Sequence, residues 1–236
     1  MRPQDLDREK RCFRVLRDLT GRECILIGGY AVSAFGPSRF SVDIDLVIPS
    51  SELAGLQIVL QDHGYHRRDE EPGKRPFAVP FERWIRPGGV LPVSADILIG
   101  GVADRVSGVT RSFDELRARS SLRRVKGIDS ESWAQALVPD IEIMLALKLQ
   151  AGRAVDLRDV VVLSRGPFDL PSLIELLRPC PRTLLADHLN KILAALPRQE
   201  FRDSLKGVFV LDEREFRRYS ASAETLCKDL LSRLER

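Results

Sequence analysis

Apolar positions along the chain follow a helical period in some stretches and a strand period in others. Leu6, Phe13, Leu16 and Leu19 form a partial stripe over residues 3–19, which predicts a first helix. Cys24 to Ile27 is a continuous apolar run followed by Gly28 and Gly29, so a short buried strand, a turn and a short helix over 29–35 are predicted. Gly36, Pro37 and Ser38 break the chain before a strand at 42–48. Pro49 then opens a helix running to about His63, with Ser50 or Ser51 as its cap and Gly64 as its stop. Arg67 to Arg75 is polar and reads as a loop. Strands are predicted at Phe77 to Ile85 and Val90 to Ile99, with Pro87, Gly88 and Gly89 as the turn between them.

The pattern changes after about residue 128. Helices are predicted at Trp133 to Gln150, Val155 to Leu163, Leu170 to Leu177, Thr183 to Leu196 and Glu213 to Leu234. Pro139, Gly152, Pro167, Pro179, Pro181 and Pro197 punctuate them. The expected fold class is α/β (α+β): a mixed β-sheet flanked by helices over 1–128, then a helical domain over 129–236. No internal repeat is visible.

Composition narrows the picture only slightly. With 236 residues and 44% hydrophobic content, the chain suits a soluble protein with a core of its own. It contains no uninterrupted apolar run of membrane-spanning length, so no membrane partner is expected. Residues Met1 to Lys10 are charged and lack the apolar core of a secretion signal. Cysteines 12, 24, 180 and 227 show no metal-ligand spacing and read as reduced thiols of a cytoplasmic protein. A net charge of +3 permits nucleic-acid binding without requiring it.

Three strand aspartates change the picture most. Asp43 and Asp45 alternate with Ile44 and Leu46, so both carboxylates share one face of the strand. They stand about 6–7 Å apart along it and repel unless cations lie between them. Asp96, in the run Val93 to Ile99, supplies a third carboxylate from a neighbouring strand. Such a hard oxygen set suits magnesium, and two ions about 3.5–4 Å apart can activate an attacking oxygen and stabilise a leaving one. Upstream, Gly28 and Gly29 join a strand to a helix, where backbone N–H groups can approach phosphates. Either signal alone fits a structural turn or cap; together they point to phosphoryl transfer.

Further candidates carry two readings each. Ile141, Met144, Leu145 and Lys148 fall on one helical face, so Lys148 must snorkel, pair with a carboxylate or reach into a cleft. Asp159 could orient Lys148 or Arg153, and Asp156 fits a first-turn carboxylate. Arg39 is either a triphosphate clamp or a surface arginine at a strand start. Of two basic clusters, Arg67, Arg68, Lys74 and Arg75 read as a solvated face, and the denser Arg117, Arg119, Arg123, Arg124 and Lys126 as a solvated face or a track for the phosphates of an RNA acceptor. Trp84 and Trp133 could stack on a base, but core packing is the simpler role for each. His63, His66 and His188 form no metal spacing and read as structural or surface residues.

Gly28, Gly29, Tyr30, Ala31 and Val32, then Gly36, Arg39, Ser41 and Asp43 to Leu46, resemble the signature of the nucleotidyltransferase (polymerase-beta-like) superfamily. Leu145 to Arg153 with Asp156 and Asp159 resembles its AbiEii/MenT-like branch, which includes toxins of toxin–antitoxin systems. The resemblance covers roughly residues 22–163. It departs from the common pattern where many members carry Ser beside the motif glycine, because here Gly29 is followed by Tyr30. Ser33 and Ser41 are possible substitutes for that hydroxyl.

The resemblance implies transfer of a nucleoside monophosphate from an NTP to an acceptor hydroxyl. Asp43 and Asp45 would bind two Mg²⁺ ions and Asp96 the second of them. Gly28, Gly29, Arg39, Lys148 and Asp159 would serve the nucleotide. A tRNA 3′ end is the implied acceptor and an antitoxin protein an implied partner. A small-molecule acceptor and a non-catalytic binding module remain as alternatives.

Overall fold

The computed structural model describes residues 3–68, 79–88 and 92–234. It is a mixed α/β structure with a helical C-terminal region. Contacts divide it into two compact units: Met1–Ala34, Ser38–Ala103 and Thr110–Asp140 in the first, Phe35–Pro37, Asp104–Val109 and Ile141–Arg236 in the second.

The first unit opens with helix α1 (Pro3–Asp18), strand β1 (Ile25–Ile27) and the short helix α2 (Gly28–Val32). Strand β2 (Asp43–Ile48), a 3-10 turn at Ser50–Glu52 and helix α3 (Leu53–Asp62) follow. Next come β3 (His66–Arg68), β4 (Phe81–Arg86), β5 (Val93–Ile99), β6 (Gly101–Ala103), β7 (Thr110–Ser112), α4 (Phe113–Ala118), β8 (Ser120–Lys126) and β9 (Trp133–Pro139). Among the described residues, seven strands form one sheet in the order β3-β4-β5-β2-β1-β9-β8, while β6 and β7 pair separately. β2 runs antiparallel to β1 and parallel to β5, and β4 runs antiparallel to β5.

Alternation explains the sheet's two faces. Leu26, Ile44, Leu46, Ile48, Ala95 and Ile97 point to one side and are fully buried. Each buried leucine or isoleucine among them contributes about 1.5–3 kcal/mol. α3 covers this side, where Gln57 donates to Glu82 of β4 at 3.1 Å. α1 packs along β9 and β5 through the side of the helix carrying Cys12, Phe13 and Leu16, with Leu19 just beyond its end, all of them buried. The chain leaves α3 through Gly64, whose φ of +74° suits glycine at a helix stop.

The second unit consists of α5 (Ile141–Ala151), α6 (Ala154–Leu163), α7 (Leu170–Leu177), α8 (Arg182–Ala195), α9 (Gln199–Phe209) and α10 (Glu213–Leu234). α5 packs against α6, α7 and α8, and α10 against α6, α8 and α9. No described helix is long and apolar enough to cross a membrane.

Several predicted elements change. Trp133 to Gln150 is not one helix: Trp133–Pro139 is strand β9 and the helix begins at Ile141. Ala134, Gln135, Ala136 and Leu137 favour helix locally, but pairing with both β1 and β8 overrides that preference. The sheet therefore continues to residue 139, past the predicted change at 128. β8 hides in the basic cluster, because a charged edge strand lacks the apolar alternation that marks a strand. α9 was not predicted either. The helix after Pro49 starts as a 3-10 turn without a side-chain cap from Ser50 or Ser51. The helix predicted over 29–35 spans only five residues. Arg67 and Arg68 belong to β3 and not to a loop. Residues 69–75 of that loop, 77–78 and 90–91 of the predicted strands, and Gly89 of the predicted turn lie outside the described residues.

Candidate active site

Strands β2 and β5 place the three aspartates on one face of two adjacent strands. They are parallel and in register, with Asp43 beside Ser94 and Asp45 beside Asp96. Partners in register point to the same side, so Asp43, Asp45, Ser94 and Asp96 share the face opposite Ile44 and Ile97. Asp43 is exposed, Asp45 half-buried and Asp96 buried. The Ser94 hydroxyl donates to the Asp43 carboxylate.

The sequence reading missed a cation on this face. Arg83 of β4 lies beside Asp96 in register. Its Nε donates to Asp96 Oδ1 at 2.8 Å and its terminal nitrogen to Oδ2 at 2.7 Å. This is a bidentate, charge-assisted pair that uses both carboxylate oxygens. The available signal was an arginine in a predicted strand, without anything to mark its pairing register.

The glycine turn has a packing reason. Gly28 has φ +70° and follows Ile27, the antiparallel partner of Asp45. A Cβ on Gly28 would overlap the Asp45 carboxylate, and a Cβ on Gly29 would overlap the Arg39 guanidinium. The two glycines therefore let a carboxylate and a guanidinium lie directly on the backbone. α2 spans five residues, too short to sum a large dipole. The positive charge at this turn comes chiefly from Arg39.

Residues around the turn are structural. The Tyr30 ring meets Phe13 edge-on at 4.9 Å, and its hydroxyl donates to the Ser41 carbonyl, tying the turn to the segment that enters β2. Ser33 is buried; its hydroxyl donates to the Tyr30 carbonyl at 2.7 Å and accepts from the Lys126 N–H at 2.8 Å. That hydroxyl is thus committed to the fold.

Lys148, Asp156 and Asp159 meet within the second unit. Lys148 is 6% exposed, and its Nζ lies 3.1 Å from Asp156 Oδ1 and 2.8 Å from Asp159 Oδ2. Arg153 Nε contacts Asp156 Oδ2 at 2.6 Å. Burial alone would raise the Asp156 carboxyl, but the charges and hydrogen bonds of Lys148 and Arg153 outweigh it and hold the group below its ordinary value. Asp156 also accepts from the Arg153 N–H at 3.3 Å, closing the first turn of α6. Gly152, at φ +59°, ends α5, and the His188 ring lies where its Cβ would be. His188 is buried, with Nδ1 2.7 Å from the Leu149 carbonyl.

The basic cluster around β8 is divided. Arg117 contacts Glu23 at 3.5 Å and Arg119 contacts Asp140 at 2.5 Å, both structural pairs. Arg124 lies over the Trp133 ring at 4.6 Å. Trp84 is a core residue as expected, donating to Glu82 at 2.9 Å, whereas Trp133 is exposed and so departs from its predicted core role. In the other cluster, Arg67 contacts Glu82 at 3.2 Å, and Lys74 and Arg75 lie outside the described residues. All four cysteines are free and buried; burial pushes the Cys12, Cys24 and Cys227 thiols up to about 12, which leaves them unreactive.

Among the described residues, no three acidic, histidine or cysteine side chains converge as a metal-binding group. Asp43, Asp45 and Asp96 are oxygen donors of the type a hard divalent cation takes and share one sheet face in strand register, and a carboxylate of the set lies against Gly28. Arg83 supplies the positive charge at Asp96. No protein-family model matches the chain, and no curated protein matches it.

Proposed function

We propose that this protein is a magnesium-dependent nucleotidyltransferase that moves NMP from an NTP to an acceptor hydroxyl. One observation carries the reading: Asp43, Asp45 and Asp96 stand in register on one face of two parallel strands, beside a glycine turn holding Arg39. Asp43 and Asp45 would hold two ions and Asp96 the second. When bound, the metal neutralises phosphate charge and lowers the pKa of a coordinated hydroxyl.

The chain's own groups do the rest. The acceptor oxygen forms a bond to the α-phosphorus, the bond from that phosphorus to the bridging oxygen breaks, and pyrophosphate leaves. A carboxylate oxygen of Asp96, released from its pair with Arg83, would accept the acceptor's proton. Arg39 clamps a triphosphate oxygen at the turn. Catalysis of this kind is mainly positioning and electrostatics.

The acceptor is RNA, with a tRNA 3′ end as the leading candidate, and the protein acts in the cytoplasm as a toxin controlled by an antitoxin. This part rests on the resemblance of Leu145 to Arg153, with Asp156 and Asp159, to the AbiEii/MenT-like branch. The test is transfer of label from each α-³²P-NTP to total tRNA with Mg²⁺. Label on tRNA from the wild type, and a loss of at least 100-fold in Asp43→Ala/Asp45→Ala, is the expected result. No label on RNA would remove the RNA-transferase reading. The Arg83–Asp96 pair favours a second reading, a non-catalytic binding module in which that ion pair is permanent.

A further inference from the structure

We infer that the outward face of β8 and β9 docks the single-stranded acceptor RNA, an assignment that rests on the RNA reading above. The burial pattern defines the face. Leu122, Arg124, Lys126, Trp133 and Gln135 are exposed, while Val125, Ala134 and Val138, on the alternate positions, are buried. Leu122 pairs with Leu137, Arg124 with Gln135 and Lys126 with Trp133, so one surface carries two cations, an indole and no carboxylate.

The aromatic group is already arranged for stacking. Trp133 is 40% exposed, Leu122 is 55% exposed, and the Arg124 guanidinium lies 4.6 Å from the indole centroid. An exposed arginine–tryptophan stack presents flat surfaces on which an unpaired base can lie, with the guanidinium and Lys126 within reach of its phosphates. A duplex, whose bases are stacked internally, offers no such partner. Charge complementarity selects a polyanion over a neutral apolar partner.

Register links this surface to the aspartates. Asp45 pairs with Ile27 on β1, and Ile25 of the same strand pairs with Leu137 on β9. All four residues share one sheet face, so the stack lies on the aspartates' side, with only β1 between β9 and β2. That is roughly 10 Å across the strands, and the registers set Trp133 a further six residues, roughly 20 Å, along the strand direction from Asp45, a span that an extended single strand of several nucleotides covers. The end of β8 is also fixed to the glycine turn's helix, because the Lys126 N–H donates to Ser33 at 2.8 Å.

Trp133 and the buried Trp84 are the two tryptophans of the chain, which gives a direct readout. A labelled 12-nucleotide single-stranded RNA would be titrated against the full chain at fixed salt, following anisotropy and intrinsic fluorescence. The expected results are quenching in the wild type, affinity lowered about 10-fold or more in Trp133→Ala, and affinity largely kept in Trp133→Phe. Arg124→Glu should weaken binding and flatten its salt dependence, while duplex RNA should show no dependence on Trp133. Thermal melts confirm that the variants fold. Absence of RNA binding by the wild type, or wild-type affinity in both Trp133→Ala and Arg124→Glu, overturns the inference. RNA binding through Trp133 without nucleotide transfer removes the catalytic reading and leaves this surface standing. Transfer to RNA with unchanged binding in these variants removes this surface alone.

Discussion

Gly28 shows how much one missing carbon decides. Its φ of +70° favours glycine, and any Cβ would strike the Asp45 carboxylate. Gly28→Ala should therefore lower stability by about 1–3 kcal/mol in urea unfolding and also displace Asp45. Loss of stability with intact divalent-ion binding would show that Asp45 does not serve the metal. The aspartates were legible in the sequence because each sits at an alternate position of an apolar run. Arg83 was not, because pairing with Asp96 depends on the register between β4 and β5, which alternation alone does not specify. Arg83→Met removes the cation that competes for Asp96, so divalent-ion affinity should rise; a fall would mean that the pair supports the site.

The junction of α5 and α6 is held by a buried ion pair. Lys148 was legible as a lysine on an apolar face, and the structure gives it Asp156 and Asp159 as partners. A buried charge left without its partner costs about 3–5 kcal/mol. Lys148→Met should destabilise the protein by that amount at neutral pH. The pH dependence has a definite sign. The folded Asp156 carboxyl is held below its ordinary value, so its contribution is complete above the ordinary carboxylate range and is lost as pH falls through the lowered value. The gap between wild type and Lys148→Met should thus narrow on acidification, as followed by urea midpoints; a constant gap would contradict the ion-pair account. Other elements were less legible. β9 carries helix-favouring residues held in a strand by two neighbours, and β8 shows its period only in burial, not in hydrophobicity.

The candidate residues fall in two separate units. The sheet unit carries Asp43, Asp45, Asp96, Gly28, Gly29 and Arg39, and the helical unit carries Lys148, Asp156 and Asp159. The mixed α/β class was legible because helix and strand periods separate along the chain. The change to helices was misplaced because β9 closes the sheet late in sequence. The central claim is that the aspartate face holds divalent metal for nucleotide chemistry. Its most direct test is a Mn²⁺ titration followed by electron paramagnetic resonance, with and without NTP, on wild type and Asp43→Asn/Asp45→Asn. Ions bound by the wild type, tightened by NTP and lost in the double variant, would bear the account out. Equal binding by the two proteins would contradict it.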